Sequence, residues 1–405
     1  MHENMTILAI VLLILGYGYF SKILSQYNIS GPMVFTTVGI LISPLVFGFG
    51  AVNIKGEPVQ IIAEVTLILV LFGDASALNL KRLKKQWEMP VRLLVIGLPI
   101  TIVFTTFAAK LFFPDESMIY LLLLALVLAP TDAALGKAVV TDKKIPENIR
   151  SSISVESGLN DGFVLPVLLA VITILISDAT TKGQINESLV YIAQQITFGA
   201  IIGTIVGFFG AKISTWVIKR KWMDNNYENL VPIALAISSY YLAEYSGGNG
   251  FIAAFFSGLF LGNYNEELRG HVANFVESEG ELLIMISFLV FGISFIPATI
   301  EYWDLSVLIF SLLSLTVLRM IPVAISLIGK SKFSTMLFIG WFGPRGIASI
   351  LYVLIIVGKI NTIEGHEKIF AVITLTILLS IFLHGLTAKP FANLYGNDHK
   401  NRSEK

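Results

Sequence analysis

The chain has 405 residues, 55% of them hydrophobic and only 14% charged, and its apolar runs recur from end to end, which excludes a water-soluble globule and indicates a polytopic helical membrane protein. Its 28 basic and 28 acidic residues cancel, and the basic ones sit mostly in connecting loops, so no basic face is offered to nucleic acid. The absence of cysteine removes disulfides, thiol nucleophiles and thiolate-bound metals, and five scattered histidines (His2, His271, His366, His384, His399) show no metal-ligand spacing.

A bilayer is crossed by roughly 20 apolar residues. Runs of that length predict about thirteen helices, with cores at 5–21, 33–51, 61–79, 91–112, 119–140, 147–177, 190–218, 230–245, 251–262, 282–296, 305–329, 333–357 and 368–387. The first follows His2, Glu3 and Asn4 rather than a basic segment and lacks a small-residue cleavage site, so it reads as a retained span. Orientation comes from the loops. Lys22, Lys81, Arg82, Lys84, Lys85, Lys143, Lys144, Arg150, Lys219, Arg220, Lys221, Arg269, Lys330, Lys332 and the tail residues Lys389, Lys400, Arg402 and Lys405 all fall on one side. Only Lys55, Lys110, Lys182, Lys359 and Lys368 fall on the other, which puts the N-terminus outside and the C-terminus in the cytoplasm of a cell membrane.

An odd number of spans admits two inverted six-helix repeats about a linking seventh helix. The fifth and twelfth spans would then correspond, and both carry proline and glycine within an apolar run: Pro130, Thr131 and Asp132 with Gly136, and Gly343, Pro344, Arg345 and Gly346. Proline removes a backbone donor and clashes with the preceding turn. Both spans are therefore expected to be discontinuous, exposing half-helix ends at the midplane. Asp132 and Arg345 have the signs needed to compensate such ends.

The sixth span holds the most costly group. Glu156, Ser157, Asn160 and Asp161 lie at mid-depth, where a charge costs about 2.5–3.5 kcal/mol on insertion scales. Ser157 and Asp161 stand one turn apart on one face, whereas Glu156 and Asp161 are separated by about 140° around the helix. That divergence lets a partner neutralise one acid while the other exchanges its ligand.

Four runs together resemble the monovalent cation:proton antiporters, in particular the NhaP-type sodium/proton antiporters of bacteria and archaea, relatives of the animal sodium/proton exchangers. They are Ala129 to Asp132, Val155 to Gly162, Leu318–Arg319 followed by Pro322–Val323, and Gly343 to Gly346; Ser246 to Ala253 adds a weaker likeness. The resemblance covers nearly the whole chain in order. It implies that Asp161 binds proton or cation alternately, that Asp132 and the Thr131 backbone lie across from it, and that Ser157 contributes an oxygen. It also implies an acid from the third span near the site. Asp74 is the match, with Glu64 the other candidate in that span. Glu156 is expected to pair with Arg319 of the eleventh span, Arg345 being the competing partner. Fold and organisation follow: residues 1–88 as scaffold helices, 89–180 as a core bundle of helices four to six, 181–300 as the linking helix with scaffold helices eight to ten, 301–395 as a second core bundle, and 396–405 as a short tail. By resemblance the scaffold makes a homodimer.

The physical reading agrees. A hard monovalent cation wants several oxygens, and Asp161, Ser157, Asp132 and opened carbonyls offer them for Na⁺, with no cofactor required. An arginine beside Asp161 would oppose the cation, so Arg319 belongs with Glu156, where loss of either member strands a buried charge. Proton and cation then compete for Asp161. Asn160 cannot take up a proton, so a single exchangeable carboxylate would trade one H⁺ for one Na⁺ or Li⁺ without net charge, K⁺ being the alternative cargo.

Two rival classes are weaker. A cation channel would conduct without a proton requirement. An intramembrane aspartyl protease would need glycine where Asn160 stands, in Gly158 to Asp161, and a second motif that is missing; the chain is expected to be a transporter and not an enzyme. Glu244 with Tyr240, Tyr241 and Tyr245 reads as an interfacial anchor, and His384 as a packing residue. Gly203, Gly207 and Ala211 suggest a close helix contact with no named partner.

Overall fold

In a bilayer an unpaired backbone group has no water to turn to, so apolar runs must close their hydrogen bonds internally as helices. The computed structural model describes residues 2–48, 53–85, 87–132, 135–177, 182–275, 280–360 and 365–403, and no strand occurs among them. In chain order the main helices are α1 (His2–Gln26), α2 (Gly31–Ile42), α3 (Glu57–Ala77), α4 (Leu98–Phe112), α5 (Met118–Leu128), α6 (Lys137–Val140), α7 (Glu147–Ser177) and α8 (Lys182–Lys219). They continue with α9 (Leu230–Tyr245), α10 (Gly250–Tyr264), α11 (Glu281–Val290), α12 (Leu305–Leu315), α13 (Val317–Leu327), α14 (Phe333–Trp341), α15 (Ile347–Lys359) and α16 (Glu367–Ser403). Among the described residues, eight helical stretches are long and apolar enough to cross a membrane, and shorter apolar helices of 10–17 residues occupy the other predicted positions.

Three interruptions escape the apolar pattern. π-helical turns at Leu93–Gly97 and Phe291–Phe295 each lie just ahead of a proline, Pro99 or Pro297. The proline ring would collide with the carbonyl four residues back, at Val95 or Ile293, and a widened turn relieves that clash. The eleventh span also breaks, at Thr316 (φ −113°, ψ −94°), between α12 and α13.

The chain forms two compact units, Met1–Gln60 with Glu88–Ser157 and Met285–Lys405, and Ile61–Trp87 with Gly158–Ile284. The first has an apolar core in which Ile145, Ile149 and Ile153, repeating every four residues, meet Val323 and Leu327 of α13, Ile339 of α14 and Ala388 and Ala392 of α16. Lipid tails are as apolar as these side chains, so the cluster stabilises through packing density rather than exclusion of water. The second unit is organised on α10. Along α8, Gly199, Gly203 and Gly207 recur every fourth residue; a Cβ at Gly199 would lie 2.6 Å from the Asn249 carbonyl oxygen, and at Gly203 and Gly207 it would strike the backbone of Ala253 and Ser257. The small-residue spacing of the seventh span thus has α10 as its partner. Asn263 fastens α10 to α3, donating to the Leu78 carbonyl at 2.8 Å and accepting from the Leu80 N–H at 2.9 Å.

Candidate functional site

The two spans expected to be discontinuous are both broken where the sequence places proline. α5 stops at Leu128 and α6 resumes at Lys137; α14 stops at Trp341 and α15 resumes at Ile347. The two breaks are stitched together. The Asp132 N–H donates to the Pro344 carbonyl at 2.8 Å, the Ile347 N–H donates to Asp132 Oδ2 at 2.9 Å, and the Ser349 hydroxyl donates to the Val127 carbonyl at 2.7 Å. Asp132 therefore sits at the N-terminal, positive end of α15, and Arg345 Nη1 donates to the Gly343 carbonyl at 2.7 Å beyond the negative end of α14. Gly346 permits this approach, since a Cβ there would collide with the Asp132 carboxylate.

α7 runs unbroken through Glu156, Ser157, Asn160 and Asp161, all buried. Glu156 is salt-bridged to Arg319 Nη2, at 3% and 1% exposure. Arg319 occupies the first turn of α13, directly after the Thr316 break, and a Cβ on Gly343 would lie 2.7 Å from its Nε. Arg345 makes no ion pair with Glu156 among the described residues; its head group stays with the α14 terminus. Ser157 Oγ lies 3.1 Å from Thr131 Oγ1, joining α7 to the first broken span. Pro166, inside α7, removes the donor that would pair with the Gly162 carbonyl, so an opened backbone oxygen follows Asp161 by one residue.

In the second unit Asp74 packs against α7. A Cβ on Gly158 would be 3.5 Å from the Asp74 carbonyl oxygen and 3.9 Å from its Cβ, three residues before Asp161 and hence on a neighbouring part of the same face. Glu64 goes elsewhere, close enough to Tyr240 to interact with it electrostatically. The expected tyrosine anchor accordingly divides. Tyr240 is buried at 8% exposure, while Tyr241 and Tyr245 are exposed. Glu244 Oε1 accepts from the Gly250 N–H at 2.8 Å and, with the Asn249 side chain, caps α10.

The family model for the transmembrane sodium/hydrogen exchanger matches residues 8–394. The chain belongs to the sodium/hydrogen exchanger family. Among curated exchanger relatives, the K(+)/H(+) antiporter NhaP of Alkalimonas amylolytica is 23% identical over 393 residues, covering 96% of this chain and 66% of the relative. A Na(+)/H(+) antiporter of Schizosaccharomyces pombe is 26% identical over 309 residues, covering 68% and 64%. The chain thus spans about two thirds of the length of these relatives, at 66% and 64%. The solved structure of the sodium proton antiporter MjNhaP1 from Methanocaldococcus jannaschii superposes with a TM-score of 0.79 at 19% identity, covering 97% of this chain and 99% of that one. That likeness establishes the all-helical exchanger fold.

Proposed function

We propose that this chain is a secondary antiporter that exchanges one H⁺ for one Na⁺ or Li⁺ at Asp161. The observation that carries the reading is the burial of the Asp161 carboxylate within the apolar helix α7. Among the described residues the buried carboxylates and guanidiniums are Asp132, Glu156, Asp161, Arg319 and Arg345. Glu156 is matched by Arg319, and Asp132 and Arg345 attend opposite half-helix ends. Asp161 is 4% exposed on the same helix as Glu156 and faces about 140° away from it, so it is the acid this reading makes exchangeable. A single negative charge at mid-depth is expensive to carry bare. A proton or a monovalent cation cancels it equally well, so the site crosses only when one of them is bound, and the two take turns.

Supporting this, Ser157 stands one turn before Asp161 with Thr131 hydrogen-bonded to it, and these hydroxyls are oxygens of the kind a hard cation prefers; Asp132 is the further ligand that the resemblance implies. Asn160 adds a dipole and no proton, which fits electroneutral exchange, and Asp74 is placed to draw cations toward α7. The reading includes a homodimer in lipid, alternating access of core helices (89–180 and 301–395) against the scaffold (1–88 and 181–300), and a cytoplasmic C-terminus in the cell membrane. K⁺ is the second reading for the cargo, favoured by the names of NhaP relatives.

Purified protein in proteoliposomes tests both. A pH gradient is imposed, Na⁺, Li⁺ or K⁺ is added, and proton flux and membrane potential are followed for the wild type, Asp161→Asn and Asp161→Glu. Loss of exchange in the asparagine variant and a rate insensitive to potential are expected. Undiminished exchange by Asp161→Asn removes that residue from the site, and a potential-driven rate contradicts one-for-one stoichiometry.

A further inference from the structure

The last helix, α16, presents Ser380, His384 and Thr387 at spacings of four and three, hence on one face, and each contacts the break between α14 and α15. The Arg345 N–H, a backbone donor freed where the helix opens, donates to Ser380 Oγ at 2.6 Å. Ser380 Oγ lies 3.1 Å from His384 Nδ1. The Trp341 ring, on the last residue of α14, lies over the His384 imidazole with centroids 5.0 Å apart at 36°, and its indole N–H donates to Thr387 Oγ1 at 3.0 Å. Ser380 and His384 are 0% and 1% exposed.

We propose that Ser380 and His384 are positioning residues that fix the break and, through it, the carboxylate of Asp132. Ser380 Oγ accepts from the Arg345 N–H, and His384 Nδ1 lies 3.1 Å from both that hydroxyl and the Ser380 carbonyl oxygen. A carbonyl oxygen can only accept, so a ring nitrogen bonded to one carries the hydrogen. The His384 Nδ1–H thus holds the Ser380 oxygens in place, with a hydroxyl lone pair aimed at the Arg345 N–H. Two residues on, the Ile347 N–H holds Asp132 Oδ2. The chain of contacts therefore runs from α16 through the residues between the half-helices to an oxygen of the cation site. Trp341 anchors the other side of the break to the same helix.

The proposal rests on the reading of Asp132 as part of the cation site, and the test separates the two. Na⁺ is titrated against exchange in proteoliposomes for Ser380→Ala, Ser380→Thr, His384→Leu and His384→Asn, and Na⁺-dependent thermal stabilisation is measured in detergent. Ser311→Ala is the control, a buried hydroxyl that also faces α16, at the Val372 carbonyl, away from the break. Ser380→Ala and His384→Leu are expected to raise the half-saturating Na⁺ concentration roughly three- to tenfold, the worth of a neutral hydrogen bond, while the maximal rate holds. Ser380→Thr keeps the hydroxyl and His384→Asn keeps an N–H donor where Nδ1 lies, so both restore the wild-type value, which Ser311→Ala never leaves. Should Ser380→Ala fail to fold, His384→Leu against His384→Asn carries the same comparison. Folded Ser380→Ala and His384→Leu with unaltered half-saturation overturn the proposal, as does a fall in maximal rate alone. Normal exchange by Asp161→Asn in the same series instead overturns the underlying reading of the site.

Discussion

The crossing of the two broken spans and the seam between α8 and α10 solve the same packing problem in opposite ways. At the seam, unbroken helices approach until glycine meets backbone, with Gly203 against Ala253 and Gly207 against Ser257, and no charge is involved. At the crossing the helices stop, and side chains take over the bonding that the backbone gave up: Ser349 for Val127, Asp132 for Ile347, Arg345 for Gly343 and Ser380 for Arg345. Irregular backbone at membrane depth survives only with such replacements. The seam needs only shape, whereas the crossing needs specific side-chain chemistry, and that expense is what makes it the candidate site.

The contrast is sharpest where a charge is stranded. Arg319→Gln leaves Glu156 buried without its partner and is expected to destabilise the protein by about 3–5 kcal/mol, seen as a large drop in the thermal midpoint in detergent. The double variant Glu156→Gln with Arg319→Gln should recover most of the loss, and failure to do so would show that the pair does more than neutralise itself. At the seam, Gly203→Leu forces the helices apart at a cost of about 1–3 kcal/mol for overpacking. Its folded fraction should keep the wild-type half-saturating cation concentration. A shifted value there would erase the distinction between shape and chemistry. Ser349→Ala, which strips the Val127 carbonyl of its donor, should cost about 1 kcal/mol and, unlike the seam variant, alter cation affinity.

How legible this was depends on which residue type carries the signal. Proline and glycine inside apolar runs announce the two breaks, yet α7 carries Gly158, Gly162 and Pro166 and still runs as one helix from Glu147 to Ser177. Asp132 and Arg345 could be matched to half-helix ends by sign alone. Thr316 gives no such warning, being a common residue whose hydroxyl simply bonds back to Leu312 at 2.7 Å. The π-helical turns were readable in principle from Pro99 and Pro297, but an apolar window averages over them. His384 reads as a packing residue, and its link through Ser380 to Arg345 on another span arises from folding rather than from sequence proximity. Glu64 and Asp74 share one apolar run, and only the approach of Gly158 to Asp74 separates them.

The smallest effect belongs to a charge pair outside the membrane, where the rules of the crossing no longer apply. Asp304 caps α12, accepting from the Val307 N–H at 2.9 Å and the Ser306 hydroxyl at 2.5 Å, and pairs with Lys368 Nζ at 2.8 Å. The hydrogen bond from Lys368, then those from Ser306 and Val307, hold its carboxyl well below the usual carboxylate range. A lowered folded-state value stabilises the fold above the unfolded value, near pH 4, and that contribution is lost as pH falls further toward the folded value. Both partners are about half exposed, at 45% for Asp304 and 52% for Lys368, so water and salt screen the pair to about 0.2–1 kcal/mol. Asp304→Asn keeps the capping oxygen and removes the charge. Its thermal midpoint should sit slightly below wild type at pH 7, converge on it in acid, and converge again at high salt. A difference that persisted at high salt would mean that the cap, rather than the charge, had been lost.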